Sequence, residues 1–290
     1  MTVTVRPEVG EDGPRSTGMQ VATSPTSSRL RYIVRYWLPP LLVSGLLIGL
    51  WYFVSYAVLA PRRRFLLPSP SEMFRDAFFV SEVRGAIFEA LQRSAMVALV
   101  GLGIAFAIGV LWAIAMSQAR WLERSLFPYA VFLQCIPILA LVPLIGFWFG
   151  FGYTARVIVC VMISLFPIVS NTLFGLQSVD QEQRDLFKLH RANRLTVLGK
   201  LELPAALPAI FAGLRIAAGL AVVGAIVGDY FFRRGEPGLG TLISNYQARV
   251  QSAELFAAVT VASLFGVVIF LLFGWLSRRA VSRWHDFSDR

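Results

Sequence analysis

Residues 181–210 read QEQRDLFKLHRANRLTVLGKLELPAALPAI, a charged stretch that lies between two strongly apolar runs. Structureless loops of this length are uncommon in compact proteins, so the stretch is expected to carry structure or function. Its leucines recur at helical spacing, and side chains so spaced share one helix face. The stretch therefore predicts two short amphipathic helices, separated by a turn near residues 191–193, that display apolar side chains to water.

Two interpretations of these helices follow from the periodicity. An amphipathic helix can lie in the interface of a lipid bilayer, with its apolar face among the headgroups. It can also dock its apolar face into a groove on a soluble partner. The spacing of the leucines is compatible with both.

The composition indicates a membrane protein. The 290-residue chain is 56% hydrophobic and 15% charged, whereas a soluble domain has about a quarter charged residues. The apolar residues are gathered in long runs, which is typical of a chain that crosses the bilayer several times. The net charge of +10 comes from arginines that flank apolar segments and form no basic face, so it indicates topology control and no nucleic-acid partner.

The long apolar runs predict six transmembrane spans, at about residues 33–60, 90–116, 126–149, 153–176, 205–231 and 255–276. Arginines precede the first span and follow the last, which places both termini in the cytoplasm. The 181–210 stretch then also lies on the cytoplasmic side, and the Arg62-Arg63-Arg64 run lies outside, against the positive-inside rule.

Prolines and serines predict where several helices begin or bend. The pair Pro39-Pro40 is expected to mark the true start of the first span, because proline breaks a helix interior. Ser71 is expected to cap a short external helix that continues to Phe79. Pro128, Pro137 and Pro143 predict kinks in the third span.

Polar side chains within the spans are candidates for a translocation path. Gln134 precedes a kink, and Ser164, Ser170 and Asn171 lie in the inner half of the fourth span. For each of them a helix–helix hydrogen bond is an equally good interpretation.

Two charges lie within the fifth span. Arg215 could extend to the inner interface, pair with a carboxylate, or meet an anionic solute, because a charge in lipid is costly and usually faces a partner or a cavity. Asp229 lies near the outer end and is expected to pair with Arg233 or to cap the outer loop.

The run Leu203-Pro204-Ala205-Ala206-Leu207-Pro208 closes the 181–210 stretch and resembles the end of the EAA loop of ATP-binding-cassette importer permeases. The resemblance extends from about residue 66 to residue 275. In that family a cytoplasmic coupling helix sits in a cleft of a separate ATPase subunit. The resemblance assigns ATPase coupling to Asp185, Leu186, Phe187, Leu189, Arg191, Arg194, Leu203 and Pro204.

The sequence departs from the family pattern at two places in this loop. Asp185-Leu186-Phe187 stands where Glu-Ala-Ala is usual, so the pocket on the partner should be shaped for a larger side chain. Arg191 stands where glycine is usual, and arginine tolerates a left-handed backbone less well than glycine.

Residues 224–229, together with the segments 166–176 and 203–215, resemble the nitrate, sulfonate and taurine branch of the family. Within that branch they are nearest to permeases for pyrimidine precursors and riboflavin. The implied fold is the all-α type I importer permease with six transmembrane helices. The implied function is that of the transmembrane subunit of an ATP-driven importer, which forms the path for a small polar or heterocyclic solute. The implied partners are two ATPase subunits, a substrate-binding protein on the outer face and a second copy of the chain.

The chain is not expected to be an enzyme or to hold a cofactor or metal. Gly199-Lys200 is followed by Leu201, and Arg194 stands where a phosphate-binding loop needs its first glycine, so ATP and Mg²⁺ are expected on the partner ATPase. The alternative is a self-contained channel or secondary transporter, which predicts mid-membrane charges and inverted repeats.

The resulting organisation has four parts. They are a disordered cytoplasmic tail at residues 1–30, a first transmembrane helix with an external amphipathic segment at 31–89, a permease core at 90–277 with its coupling loop at 178–204, and a second cytoplasmic tail at 278–290. The expected location is the cytoplasmic membrane of a prokaryote.

Overall fold

The computed structural model describes residues 25–281, and helices account for every regular element within that range. The predicted tails lie outside the described residues as far as residue 24 and from residue 282. The chain forms two compact units, divided between Phe53 and Val54. The described part of the first unit is the helix α1, Pro25–Phe53.

Helix α1 runs through Pro39 and Pro40 without ending there, so the predicted helix start at these prolines is wrong. Each proline removes only its own N–H and frees the carbonyl four residues earlier. Those carbonyls belong to residues 35 and 36, which precede the apolar span that begins at Leu38, where water can bond them. Beyond the prolines the leucines from Leu41 to Leu50 are exposed, as suits a helix that faces lipid.

The second unit contains ten further α-helices among the described residues, joined by short 3₁₀ and π turns. They are α2 Pro70–Met73, α3 Ser81–Ser117, α4 Arg120–Cys135, α5 Ile138–Phe149, α6 Tyr153–Gln177, α7 Gln181–Leu189, α8 Arg194–Val197, α9 Leu203–Phe231, α10 Leu239–Ala248 and α11 Ser252–Val281. A 3₁₀ turn covers Pro61–Leu66, and π turns cover Val54–Val58, Phe74–Phe78 and Leu198–Glu202.

Five segments of the described chain are long and apolar enough to cross a membrane: Leu38–Val58, Ser81–Ser117, Tyr153–Gln177, Arg194–Phe231 and Ser252–Ala280. The predicted third span is different. It consists of α4 and α5, which meet at an angle of 98° and make a sixth span only if the bent pair is counted as one.

The break between α4 and α5 falls at Ile136 and Pro137. Proline disfavours helical backbone in the residue before it, and Ile136 is extended, with φ −67° and ψ 126°. Pro128 and Pro143 stay inside their helices. Of the three prolines that predict kinks, Pro137 therefore ends a helix.

The core of the second unit is formed where α3, α6 and α9 pack together. Small residues at four-residue intervals permit the close approach that packing in lipid requires. A Cβ added to Gly101 of α3 would lie 2.4 Å from Cys160 Sγ of α6, and one added to Gly224 of α9 would lie 2.8 Å from Cys160 Cα. Gly101 and Gly224 thus mark places where α3 and α9 approach α6 closely.

The external helix α2 is capped by Ser69, and the predicted cap at Ser71 is wrong. Glu72 N donates to Ser69 Oγ at 3.4 Å, and Ser69 N donates to Glu72 Oε2 at 2.8 Å. This reciprocal pair is a capping box, which needs serine three residues before glutamate. Pro70 at the first helical position favours the same start.

Candidate functional site

The stretch that follows α6 forms the two short helices that the leucine spacing predicts. Helix α7 ends at Leu189, and α8 begins at Arg194, where Asn193 Oδ1 accepts a hydrogen bond from Thr196 N at 2.7 Å. The π turn after α8 leads into α9, whose first turn holds Leu203 and Pro204. Residues 194–231 therefore form one continuous rod, about 57 Å long at 1.5 Å per residue.

Three leucines of this stretch are strongly exposed. Leu186 is 54% exposed, Leu189 81% and Leu195 76%, while Phe187 is half-buried. A group of exposed leucines on an otherwise charged surface is typical of a site covered by a partner. We call Leu186, Leu189 and Leu195 the leucine face.

The turn between α7 and α8 has left-handed backbone at Arg191, with φ 51°. Arg191 N donates to Lys188 O at 2.9 Å, and Ala192 N donates to Phe187 O at 3.0 Å. Arginine thus adopts the geometry that glycine adopts more readily, at a cost of roughly 1–2 kcal/mol.

Asp185 bonds to neighbours on α7. Its Oδ1 accepts hydrogen bonds from Lys188 Nζ at 2.8 Å and from Gln181 Nε2 at 3.0 Å. The hydrogen bond from Lys188 is the main reason that the pKa of the Asp185 carboxyl lies below its usual value, so the carboxylate is charged at neutral pH.

A pair that sequence reasoning missed fastens α7 to the transmembrane helices. Arg184 Nη1 lies 3.0 Å from Glu202 Oε1, and Arg184 Nη2 donates to Leu176 O at 3.0 Å. Glu202 is buried at the start of α9, and Leu176 lies in the last turn of α6. The sequence signal was a glutamate directly before the Leu-Pro element, and its partner was hidden among the other charges of the loop.

Arg194 fastens α8 to a third helix. Its Nη1 donates to Gln118 O, at the end of α3, at 3.2 Å. A cavity of about 390 Å³ opens between these attachments and is lined by Ser117, Gln118, Arg184, Lys188, Ala192, Arg194, Val197 and Glu202. The leucine face is thus carried by a platform that is tied to α3, α6 and α9 at once.

The polar residues predicted to line a path are only partly brought together. Ser164 is buried and donates to Cys160 O at 2.8 Å, within its own helix. Ser170 and Asn171 both donate to Pro167 O, at 3.4 and 2.8 Å. Gln134 is exposed near the end of α4. Hydrogen bonds thus tie three of the four to the backbone of α6, and a role along a path stays a prediction.

Arg215 makes a contact that the sequence alternatives did not include. Its Cζ lies 4.0 Å from the ring centroid of Phe270 on α11, a cation–π contact. A Cβ added to Gly274 would lie 3.0 Å from Arg215 Nε, so this glycine gives the guanidinium room. No carboxylate of the described residues pairs with Arg215.

Asp229 pairs with Arg156, and the predicted partner Arg233 is wrong. Arg156 Nη1 lies 3.1 Å from Asp229 Oδ1, with the two side chains 4% and 0% exposed. Ser94 Oγ also donates to Asp229 Oδ2. Arg233 lies at the surface, where it donates to Ser244 Oγ. Asp229 is buried, so it pairs with a guanidinium that is also buried, and the side chain of Arg233 is directed to Ser244 instead.

The same cluster holds the loop that follows α9. Arg156 donates to the carbonyls of residues 232, 236 and 234 at 2.9, 3.0 and 3.1 Å. Leu239 N donates to Ser94 Oγ at 2.8 Å, at the start of α10. A Cβ added to Gly238 would lie 1.9 Å from Asp229 Oδ2, so only glycine fits against the carboxylate there. We call Ser94, Arg156 and Asp229 the outer cluster.

The described chain is thus a helical membrane protein with a platform of two short amphipathic helices between α6 and α9. Residues 105–285 match the family of binding-protein-dependent transport system inner membrane components. The chain belongs to this family and is a multi-pass permease subunit of an ATP-binding-cassette importer, with the type I permease fold. The family resemblance that rests on the 181–210 stretch is confirmed.

Three relatives match along most of their length. A probable ABC transporter permease protein of Haemophilus influenzae is 32% identical over 84% of this chain and 97% of its own. The riboflavin transport system permease protein of Chloroflexus aurantiacus is 32% identical over 89% and 95%. The formylaminopyrimidine transport permease protein of Halalkalibacterium halodurans is 31% identical over 80% and 90%. They include the riboflavin and pyrimidine-precursor permeases that the sequence resembles.

Proposed function

We propose that the leucine face docks into a cleft of a separate ATPase subunit and passes that subunit's movement to the transmembrane helices. The main support for this proposal is that the strongly exposed leucine face is attached to three membrane spans. Arg184 links α7 to α6 and α9, and Arg194 links α8 to α3. A face that merely lay on lipid would need no such links.

The working complex would contain two copies of this chain, two ATPase subunits and a substrate-binding protein on the outer face. The family description supports a binding-protein partner and a place in the inner membrane. ATP and Mg²⁺ would be bound and consumed by the ATPase subunits. Both termini of this chain would lie in the cytoplasm, on the side of the leucine face.

The proposed cycle uses rigid-body movement. ATP closes the ATPase dimer, and the two leucine faces are drawn together with it. Residues 194–231 form one rod, so movement of α8 tilts the whole of α9. The path then opens outward to receive the solute, and hydrolysis reverses the change. Switching between two packed states in this way is one of the established types of conformational transition.

The solute is proposed to be a small polar or heterocyclic molecule of the riboflavin or pyrimidine-precursor type. Two of the three relatives are named for such solutes, and each matches at least four-fifths of this chain. Gln134, Ser170, Asn171 and Arg215 remain the candidates for the path. Transport assays with the substrate-binding protein loaded with riboflavin or formylaminopyrimidine would compare the two.

The coupling proposal is tested by Leu189→Asp, which puts a charge on the most exposed leucine of the face. We expect stimulated ATPase activity and transport to fall at least tenfold, since a desolvated, unpaired charge costs several kcal/mol at an interface (about 2–5). Assembly of the permease in the membrane should be unchanged.

Gln183→Asp is the matched control, because it adds the same charge to an exposed position of the same helix without removing the hydrogen bond from Gln181 to Asp185. It should keep near-normal activity. Full transport by the Leu189→Asp protein, with its ATPase still stimulated, would remove the assignment of coupling to the leucine face.

A further inference from the structure

Residues 61–79 lie between two membrane spans, and the proposed function leaves them without a role. The span Leu38–Val58 ends just before them, and the span Ser81–Ser117 begins just after them. They form the 3₁₀ turn Pro61–Leu66, helix α2 and the π turn Phe74–Phe78. Segments joined so closely to the ends of two spans are expected at the level of the lipid headgroups. We call residues 61–79 the collar.

One face of the collar is fixed to the protein. Met73 and Ala77 are buried, and Thr260 Oγ1 of α11 lies 3.8 Å from Met73 Sδ. Ser55 Oγ donates to Leu67 O at 2.8 Å, which holds the turn before α2. The collar is therefore an ordered surface, and its orientation relative to α11 is set by packing.

The other face of the collar is apolar and open. Phe65, Leu66 and Phe74 are more than half exposed, and Phe79 is 81% exposed. Rings of this kind, on a short helical segment beside the ends of spans, are typical of a surface that enters the boundary between headgroups and acyl chains.

Two arginines of the collar have no partner among the described residues. Arg62 and Arg63 are exposed and make neither an ion pair nor a side-chain hydrogen bond there. Their neighbours differ: Arg64 lies over the Tyr56 ring and donates to Tyr56 O at 3.1 Å, and Arg75 lies 3.2 Å from Asp76 Oδ1. The unpaired charge is thus confined to two adjacent side chains next to the exposed rings.

We propose that the collar binds anionic phospholipid. Arg62 and Arg63 contact the headgroup phosphates, and the rings of Phe65, Phe74 and Phe79 enter the acyl boundary. Zwitterionic lipid would cover the rings, but the cation beside its phosphate would offset the negative charge that the two guanidiniums need as a counterion. Charge complementarity therefore selects an anionic headgroup, at roughly fivefold in affinity for each arginine near the surface. It also accounts for a run of arginines where the positive-inside rule disfavours one.

The test measures which lipid touches the collar. A bimane fluorophore is attached to the cysteine of Val80→Cys, an exposed position beside the collar, in the full chain with Cys135→Ser, while the buried Cys160 stays unlabelled. The protein is placed in mixed vesicles in which either phosphatidylglycerol or phosphatidylcholine carries bromine. We expect brominated phosphatidylglycerol to quench the fluorophore at a lower mole fraction than brominated phosphatidylcholine.

The arginines are then replaced in the labelled chain. Arg62→Gln with Arg63→Gln should remove most of the preference for phosphatidylglycerol, about fivefold for each residue. Arg75→Gln is the matched control, because Arg75 is exposed on the same segment but already paired with Asp76, and it should leave the preference unchanged.

Three results would overturn the proposal. Equal quenching by the two lipids would show that the collar does not select lipids by headgroup charge. A preference that survives both arginine replacements would place its origin elsewhere. Absence of quenching by either lipid would show that the collar is covered by protein, such as a second copy of the chain.

Discussion

Asp229 and Arg156 form an ion pair that is almost fully removed from solvent. Each side chain has further partners: Ser94 donates to the carboxylate, and three carbonyls accept from the guanidinium. Removal of one member of a buried pair leaves the other charge unpaired, which costs about 3–5 kcal/mol. The outer cluster is therefore expected to contribute more to stability than any surface charge of this chain.

Asp229→Asn keeps the shape of the side chain and removes its charge. We expect it to lower the free energy of unfolding by about 3 kcal/mol, because Arg156 would be left buried without a counterion. Thermal unfolding of the purified protein in detergent measures the change. Arg233→Gln, at the partner that the sequence suggested, should have an effect near zero, and a larger loss there than at Asp229 would contradict the structure.

Arg191 is the second residue whose environment makes a prediction. The left-handed backbone costs arginine roughly 1–2 kcal/mol, and replacement by glycine removes this cost. Glycine also gains chain entropy in the unfolded state, which lowers the benefit by about 0.5–1 kcal/mol. Arg191→Gly should therefore slow hydrogen exchange of the amides that close the turn. Ala192→Gly, one position further on, should speed exchange, and faster exchange in both variants would mean that the backbone at Arg191 is unstrained.

For single residues, the sequence predicted which side chains matter better than it predicted which residues they bond. Asp229 could be recognised as a charge near the end of a span, but nothing local links it to Ser94, which lies 135 residues away. The choice of Arg233 followed from nearness in the chain, whereas burial decides which guanidinium reaches a carboxylate.

Helices α7 and α8 are the elements on which the proposed coupling depends. The leucine periodicity predicted both of them and the turn between them, because helical spacing is a local property of the chain. The join to the spans was not predicted, since Arg184 and Glu202 stand among several other charges of the loop. It required the fold to bring α7 beside the start of α9.

Arg184→Gln should separate α7 from α9 without unfolding α7. We expect transport to fall roughly tenfold while binding of the ATPase is retained, because the leucine face would still be present but no longer tied to α9. Transport per ATP hydrolysed measures this loss of coupling. Glu202→Gln should give the same loss, and the double variant should be no worse than either single variant, as expected for one interaction.

Lys188→Gln controls for the loss of a positive charge from α7. Lys188 pairs with Asp185 in an exposed position, and such pairs contribute about 0–1 kcal/mol. Its transport should be close to normal. A loss equal to that of Arg184→Gln would indicate a general effect of charge and would argue against the specific link.

The elements that differed from expectation are those with prolines. Pro39 and Pro40 stay within α1, whereas Pro137 separates α4 from α5 at 98°. A proline disfavours helix at any of these sites, and its outcome depends on whether the freed carbonyls meet water, protein or lipid. The environment of these carbonyls depends on how the helices pack, so the sequence predicted where a helix could bend but not by what angle.

On the scale of the whole molecule, α6 and α9 are in backbone contact along most of their length. Added Cβ atoms at Gly175, Gly213, Gly224 and Gly228 of these helices would lie 3.0 Å or less from atoms of the opposite helix. Contacts of this kind leave little room for the two helices to slide or separate. They are expected to move as one body during transport.

Gly224→Ala tests this close packing. The new Cβ would lie 2.8 Å from Cys160 Cα, so the backbones must move apart, at a cost of about 1–3 kcal/mol. Thermal unfolding in detergent should show the loss. Gly219→Ala, five positions earlier on α9, is the matched control, because nothing lies within 4 Å of the added Cβ. That change should stabilise the protein slightly, by about 0.5–1 kcal/mol, and similar losses at both positions would argue against the close packing.

Helix α9 is attached to other parts of the protein at both of its ends. Glu202 ties the foot of α9 to α7, and Asp229 ties its head, through Arg156, to the loop before α10. A tilt of α9 that begins at Glu202 on one side of the membrane is therefore expected to move Asp229 and the loop before α10 on the other side. In the proposed complex, binding of the substrate-binding protein on the outer face and ATP hydrolysis on the inner face would then influence each other through the position of α9.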